Sequence, residues 1–301
     1  MKKNRVLIFF ALVTCSVYSQ SYVDVLKVSG GSTSLNTFDS SLSKTRIHEV
    51  LVDATLPIEI TQELALISGF IYENIQTKLF AENPIKKFGS TTLKLGVNNN
   101  FNECWSGTVV FLPKIASDFT TINRKDFQFG TLTTLKYKKS NALNYKFGLY
   151  YNSELFGPFF VPLLGVYYLS PNKKFEANIL LPLQADMSYN LHSQVAIGFN
   201  FYGQIRSYHL TGSDAQSLYV SKSTNELSMY LRLRLSKSLS FQTKAGYSVG
   251  RSYRVYEEND KITFGLPATF IGPKRKQLNS DFSDGAIFQL SFLYRFNVDK
   301  N

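Results

Sequence analysis

The chain has 301 residues, of which 15% are aromatic and only 18% charged, with 33 lysines and arginines against 22 aspartates and glutamates. No apolar run reaches the ~20 residues of a spanning helix, so a helical membrane protein is excluded. The only cysteines are Cys15 and Cys104, too few for a disulfide scaffold or a paired-cysteine metal site.

The first segment, MKKNRVLIFFALVTCSVYSQS, predicts a secretory signal peptide over residues 1–19. Lys2, Lys3 and Arg5 form its charged start, Val6 to Val13 its apolar core, and Val17 and Ser19 the small residues before cleavage ahead of Gln20. A first strand is the competing reading, but Leu7 to Leu12 do not alternate. Cys15 as a lipid-acylated cysteine is a second, weakened by Thr14 before it. Cleavage removes three bases and no acid, so the excess of basic over acidic side chains falls from 11 to 8. An exported basic chain without a basic helix points to anionic surfaces such as lipopolysaccharide, or to anionic solutes, and not to nucleic acid.

The remainder, 20–301, reads as one domain of short period-two segments. In chain order the predicted strands are 22–29, 46–58, 63–75, 90–98, 104–113, 127–138, 142–153, 161–169, 174–181, 183–190, 194–208, 224–235, 239–252 and 286–297. That is fourteen if the chain turns sharply at Pro182, and twelve if it runs straight through and another marginal strand is dropped; fourteen is preferred. The connectors alternate between short turns, such as KKSN at 138–141 and SKS at 236–238, and long polar loops, such as 30–44, 114–125, 209–223 and 253–284.

The segment ELSMYLRLRLS, Glu226 to Ser236, shows what is at stake in the alternation. As a strand it places Leu227, Met229, Leu231, Leu233 and Leu235 on one face and Glu226, Tyr230, Arg232 and Arg234 on the other. An arginine facing lipid at mid-membrane costs ~2–4 kcal/mol, so a register slip exposing both would cost ~4–8 kcal/mol. A soluble sandwich with its apolar face inward is the alternative. The export signal, aromatic load, loop asymmetry and strand lengths near ~9–11 residues favour a closed antiparallel up-and-down transmembrane barrel.

The last strand, AIFQLSFLYRFNVDKN, aligns Phe288, Leu290, Phe292, Tyr294 and Phe296 on one face. Through Gln289, Phe292, Tyr294 and Phe296 it resembles the C-terminal targeting strand of outer-membrane β-barrel proteins, departing from it in lacking the glycine and in ending at Asn297 to Asn301. The resemblance implies insertion by the barrel assembly machinery. More broadly the chain resembles the uncharacterised outer-membrane barrels of Gram-negative bacteria grouped as domains of unknown function, which bring no catalytic residues.

The inner face is expected to carry Lys94, Lys136, Lys146, Arg206, Glu226, Arg232, Arg234, Lys244 and Arg295, with Asp53, Glu63, Glu176 and Asp186 in less certain registers. Such charges either pair and fill the lumen as a structural network or line a pore favouring small anionic solutes; Arg206, Arg232 and Lys244 would form a basic ladder if level. Lys274, Arg275 and Lys276 in the longest loop are candidates for lipopolysaccharide phosphates. Cys104 reads as a buried thiol and Trp105 as an interfacial anchor. No cofactor, metal spacing or enzyme activity is expected. The alternative function is a lipid-modifying hydrolase using Ser207 and His209, which share a face at i, i+2, with Asp214 as orienting carboxylate.

Overall fold

The computed structural model describes residues 22–211 and 217–297. The expectations for the leader, Cys15 and Asp214 fall outside them.

Alternating apolar residues form strands here because one face can meet an apolar solvent while the backbone groups pair sideways. The strands are β1 (Tyr22–Thr33), β2 (His48–Glu59), β3 (Leu64–Thr77), β4 (Lys86–Asn100), β5 (Trp105–Ser117), β6 (Phe127–Lys138) and β7 (Leu143–Glu154). They continue with β8 (Gly157–Leu169), β9 (Phe175–Leu181), β10 (Gln184–His192), β11 (Val195–Thr211), β12 (Ser217–Arg234), β13 (Leu239–Ser248) and β14 (Gly285–Asn297). Each pairs antiparallel with the next, and β1 closes on β14 with Val28 opposite Phe292, so the wall has no free edge. The turn at Pro182 is as tight as the fourteen-strand reading requires, with β9 ending at Leu181 and β10 starting at Gln184.

Along β12, Leu227, Met229, Leu231 and Leu233 are exposed while Ser228, Tyr230 and Arg232 are buried. The same exposure of apolar side chains recurs around the ring, from Phe111 and Phe129 through Phe147 and Leu149 to Phe288, Leu290 and Phe292. An apolar belt on the outside of a closed sheet is the surface hydrocarbon solvates. Aromatic rings mark its borders. Phe111, Phe129, Tyr151 and Phe160 form a row with centroids 6.3, 5.8 and 5.0 Å apart, and at the short-turn end Trp105 lies 4.9 Å from Tyr137.

The long-loop end departs from a simple barrel. β9 and β10 have only 7 and 9 residues, whereas β11 and β12 have 17 and 18. The predicted loop 209–223 is therefore largely strand, and the hairpin of β11 and β12 rises past the low point of the wall. It leans inward: His209 of β11 makes a parallel bridge to Ser117 of β5, a strand far from it around the ring. The predicted strand 239–252 stops at Ser248; a separate strand, Ser252–Glu257, then continues along β12 with Val220 opposite Val255.

These elements form an apolar plug inside the outer end. Ile75, Phe88 and Ala116 from the wall meet Tyr208, Leu210 and Val220 from the hairpin, with Phe38, Tyr253, Val255 and Phe282 from the loops. A second cluster fills the wall's low point, where Phe156, Phe159, Val161 and Leu163 pack on Tyr219, Tyr256 and Ile262. Polar bonds pin the rim. Asp118 takes hydrogen bonds from the Thr211 amide, 3.0 Å away, and an ion pair from Lys86 at 2.8 Å. Burial pushes the Asp118 carboxyl up, but Lys86 and the Thr120 and Thr211 amides more than offset it, so it lies below its ordinary value.

Candidate functional site

Below the plug lies a chamber of about 210 Å³. Lys27, Glu49, Asp53, Glu73, Lys114, Arg206, Lys222, Glu226 and Lys244 line it, together with Tyr150, Tyr202 and Asn200. The wall delivers these groups by simple alternation: on β12, Lys222, Thr224 and Glu226 face in because Leu227 and Met229 face lipid.

Two buried knots separate the chamber from the plug. In the first, the Lys222 ammonium donates to Glu49 Oε1 at 2.6 Å and to Glu73 Oε1 at 2.7 Å. The Tyr208 hydroxyl donates to Glu73 Oε2 at 2.6 Å and the Tyr253 hydroxyl to Glu49 Oε1 at 3.0 Å. In the second, Glu154 Oε2 accepts from the Ser207 amide and hydroxyl, both at 2.6 Å. Lys114 lies 3.4 Å and Arg206 3.9 Å from Glu154 Oε1, and Arg206 donates to the Tyr150 hydroxyl at 2.6 Å. Each buried carboxylate is thus compensated by cations and donors, as charges withdrawn from water must be.

Towards the short turns the lumen is narrowed by polar contacts. Arg232 donates to Gln242 Oε1 at 2.9 Å and stacks 4.7 Å from the Tyr230 ring centroid. The Tyr230 hydroxyl donates to Asp186 at 2.9 Å, Lys244 to Asn200 at 2.9 Å and Lys146 to Asn178 at 3.0 Å. Arg295 pairs with Asp24 at 2.5 Å, Lys94 pairs with Asp53, and Arg234 donates to the Ser193 carbonyl at 2.8 Å.

None of the nine charges expected inside is exposed, although their neighbours Leu93, Leu95, Leu135, Phe147, Leu231 and Tyr294 are. The basic ladder does not form. Arg232 lies opposite Gln242 and Lys244 opposite Tyr230, but Arg206 lies opposite Lys222, ten residues before Arg232 in β12. Lys136 and Lys146 instead oppose each other directly, a like-charge pair no single strand reveals. Glu63 is in the turn 60–63 and exposed, so it is not luminal. Cys104 is exposed rather than buried, because it belongs to the turn before β5. Phe292, Tyr294 and Phe296 all face outward on β14.

In the long loop Lys274 and Lys276 are exposed, but Arg275 is turned into the molecule. Its guanidinium lies 4.2 Å from the Tyr256 ring centroid, 5.2 Å from Phe156 and 5.0 Å from Phe270, so it braces the second cluster by cation–π contact. Ser207 and His209 do not pair. Ser207 is held by Glu154, while the His209 ring lies against Asp126 and Ser217. Sequence reading missed Glu49, Glu73, Lys114, Glu154 and Lys222. Lys222 falls in the predicted loop 209–223; continuing the alternation back from Glu226 through Thr224 puts it on the inner face.

A family model described as Domain of unknown function (DUF6268) matches residues 59–273. The chain belongs to this family. No curated protein matches it. Among solved structures it is similar to an outer membrane channel of Pseudomonas putida F1, at 9% identity and TM-score 0.44 over 94% of this chain and 98% of that one. It is also similar to the TodX monoaromatic hydrocarbon channel, at 8% identity and TM-score 0.41 over 90% of this chain and 89% of that one. With the NanC porin the values are 9% and 0.35, over 89% and 98%. Neither the family nor these structures assign a role to any residue named above.

Proposed function

We propose that the protein is an outer-membrane barrel for passive diffusion of small polar solutes, closed at rest by its plug. The outward apolar belt with aromatic borders supports residence in a membrane. The chamber carries the transport reading: an enclosed, charge-lined volume of about 210 Å³ in the middle of a barrel, large enough for a few waters or a small solute. Five cations, Lys27, Lys114, Arg206, Lys222 and Lys244, face four carboxylates, Glu49, Asp53, Glu73 and Glu226, which favours anions modestly. The exposed Lys274 and Lys276 suit phosphates of lipopolysaccharide, and the outward aromatics of β14 suit delivery by the barrel assembly machinery.

Planar-bilayer recording of the refolded protein tests the reading. The wild type is expected to stay silent, whereas replacing residues 252–282, which carry Tyr253, Val255 and Phe282 of the plug, by a short turn opens ion-sized steps with mild anion preference. Steady conductance in the wild type would contradict the closed state. Silence from a folded barrel without the loop part of the plug would reduce the lumen to a structural filling.

A further inference from the structure

The polar group at the top of β11 has a geometry the diffusion reading does not use. His209 Nδ1 lies 2.6 Å from Asp126 Oδ1, and His209 Nε2 lies 2.7 Å from Ser217 Oγ. Asp126 is fully buried and fixed from behind, its other oxygen accepting the Asn123 amide at 2.7 Å in a capping box at the short 3-10 turn Arg124–Asp126. The imidazole is also buried, whereas Ser217 is half-buried at the start of β12. A carboxylate that accepts a hydrogen bond from Nδ1–H keeps the proton on that nitrogen and leaves Nε2 with its lone pair towards the serine, the arrangement that turns a hydroxyl into a nucleophile.

We propose that Ser217 and His209 are catalytic residues of an acyl-transfer site, with Asp126 as the positioning residue, acting on carboxylic esters of amphiphiles. The substrate class follows from the segment that carries Asp126. Its Phe119, Ile122 and Phe127 are 39%, 60% and 60% exposed, and the Asp118 amide ties the same segment to the His209 carbonyl at 3.0 Å. An acyl chain lying on that apolar lip presents its ester at the outer rim, where Ser217 sits. Ser217 Oγ attacks the ester carbonyl carbon and its proton passes to Nε2. The C–O bond to the alcohol then breaks as the alcohol takes that proton, leaving an acyl-serine. Water, deprotonated by the same nitrogen, attacks the acyl-serine, releases the carboxylic acid and restores the hydroxyl.

One group competes for the serine proton. Lys125, 2.6 Å away, and a hydrogen bond from Ser217 hold the Glu258 carboxyl below its ordinary value. The test therefore separates His209 from Glu258 as base. The full-length barrel, refolded in detergent and checked by heat-modifiable migration, is treated with a long-chain fluorophosphonate and digested for mass spectrometry. Label is expected on Ser217, absent in Ser217→Ala, slowed on the order of 10²-fold or more in His209→Gln, and undiminished in Glu258→Gln. Asp126→Asn is expected to slow labelling and displace its pH profile from that of the wild type. A folded wild type unlabelled at Ser217, or equal labelling in His209→Gln, overturns the proposal; loss in Glu258→Gln overturns the assignment of the base. Bilayer conductance is unaffected by the outcome, so this site and the diffusion reading fail separately.

Discussion

Leu231 and Arg232 are adjacent in the chain, yet one is exposed on the outer wall and the other is 3% exposed inside it. Leu231→Arg is expected to destabilise the barrel in lipid vesicles by about 2–4 kcal/mol. Arg232→Leu removes one charged hydrogen bond and a ring contact, for about 1.5–3 kcal/mol. Its extra cost comes from the Gln242 oxygen left behind, so the double variant Arg232→Leu, Gln242→Leu should recover part of it; urea titration in vesicles compares the three. Lys222 is a harsher case, because it bridges two carboxylates. Lys222→Met strands the buried Glu73 and the half-buried Glu49 and is expected to cost about 3–5 kcal/mol at neutral pH by the same titration.

Strands β10, β11 and β12 show what a single element demands. Gly198 lies opposite Tyr230, and a Cβ on it would meet the Tyr230 ring at 2.2 Å and the Met187 carbonyl oxygen at 2.5 Å. The tyrosine covers the glycine, and its hydroxyl reaches on to Asp186. Gly198→Val has to push that ring off, and a loss of about 1–3 kcal/mol is expected in equilibrium unfolding. Tyr230→Ala, Gly198→Val should lose less than the two single variants together, because the ring's share of the clash is then gone and only the Met187 carbonyl remains in the way. The hairpin of β11 and β12 also explains why the loop estimate erred at 209–223. Beyond Ile205 both faces of the strand are covered, so Ser207, Tyr208, His209 and Leu210 are all buried and the alternation that marks a membrane strand disappears.

At the scale of the molecule, two apolar regions with opposite addresses coexist. The belt around the wall faces outward, while Phe38, Phe88, Tyr208 and Val255 turn inward to make the plug. The ladder from β1 to β14 closes without the plug, which is why replacing residues 252–282, with Tyr253, Val255 and Phe282, should open the lumen while the barrel stays folded. The charges within follow the same division. Lys94 and Arg295 meet acids near their own strands, but Lys222 reaches Glu49 and Glu73 across the mouth, and His209 reaches Asp126 at the far side of the ring.

The amino-acid order alone determined the strand class and which side chains face outward, because a period of two and a penalty for charge in hydrocarbon act locally on each strand, while the choice of fourteen strands over twelve rested on the turn at Pro182. Segments such as Phe127–Lys138 and the run from Leu227 to Arg234 could be read without knowing their neighbours. Only the tertiary structure decided the plug, the chamber and the partners of Ser207, His209 and Lys222. Those depend on cross-strand register and on how far two long strands lean over two short ones. Such quantities arise from closing the ring, and no single strand carries them.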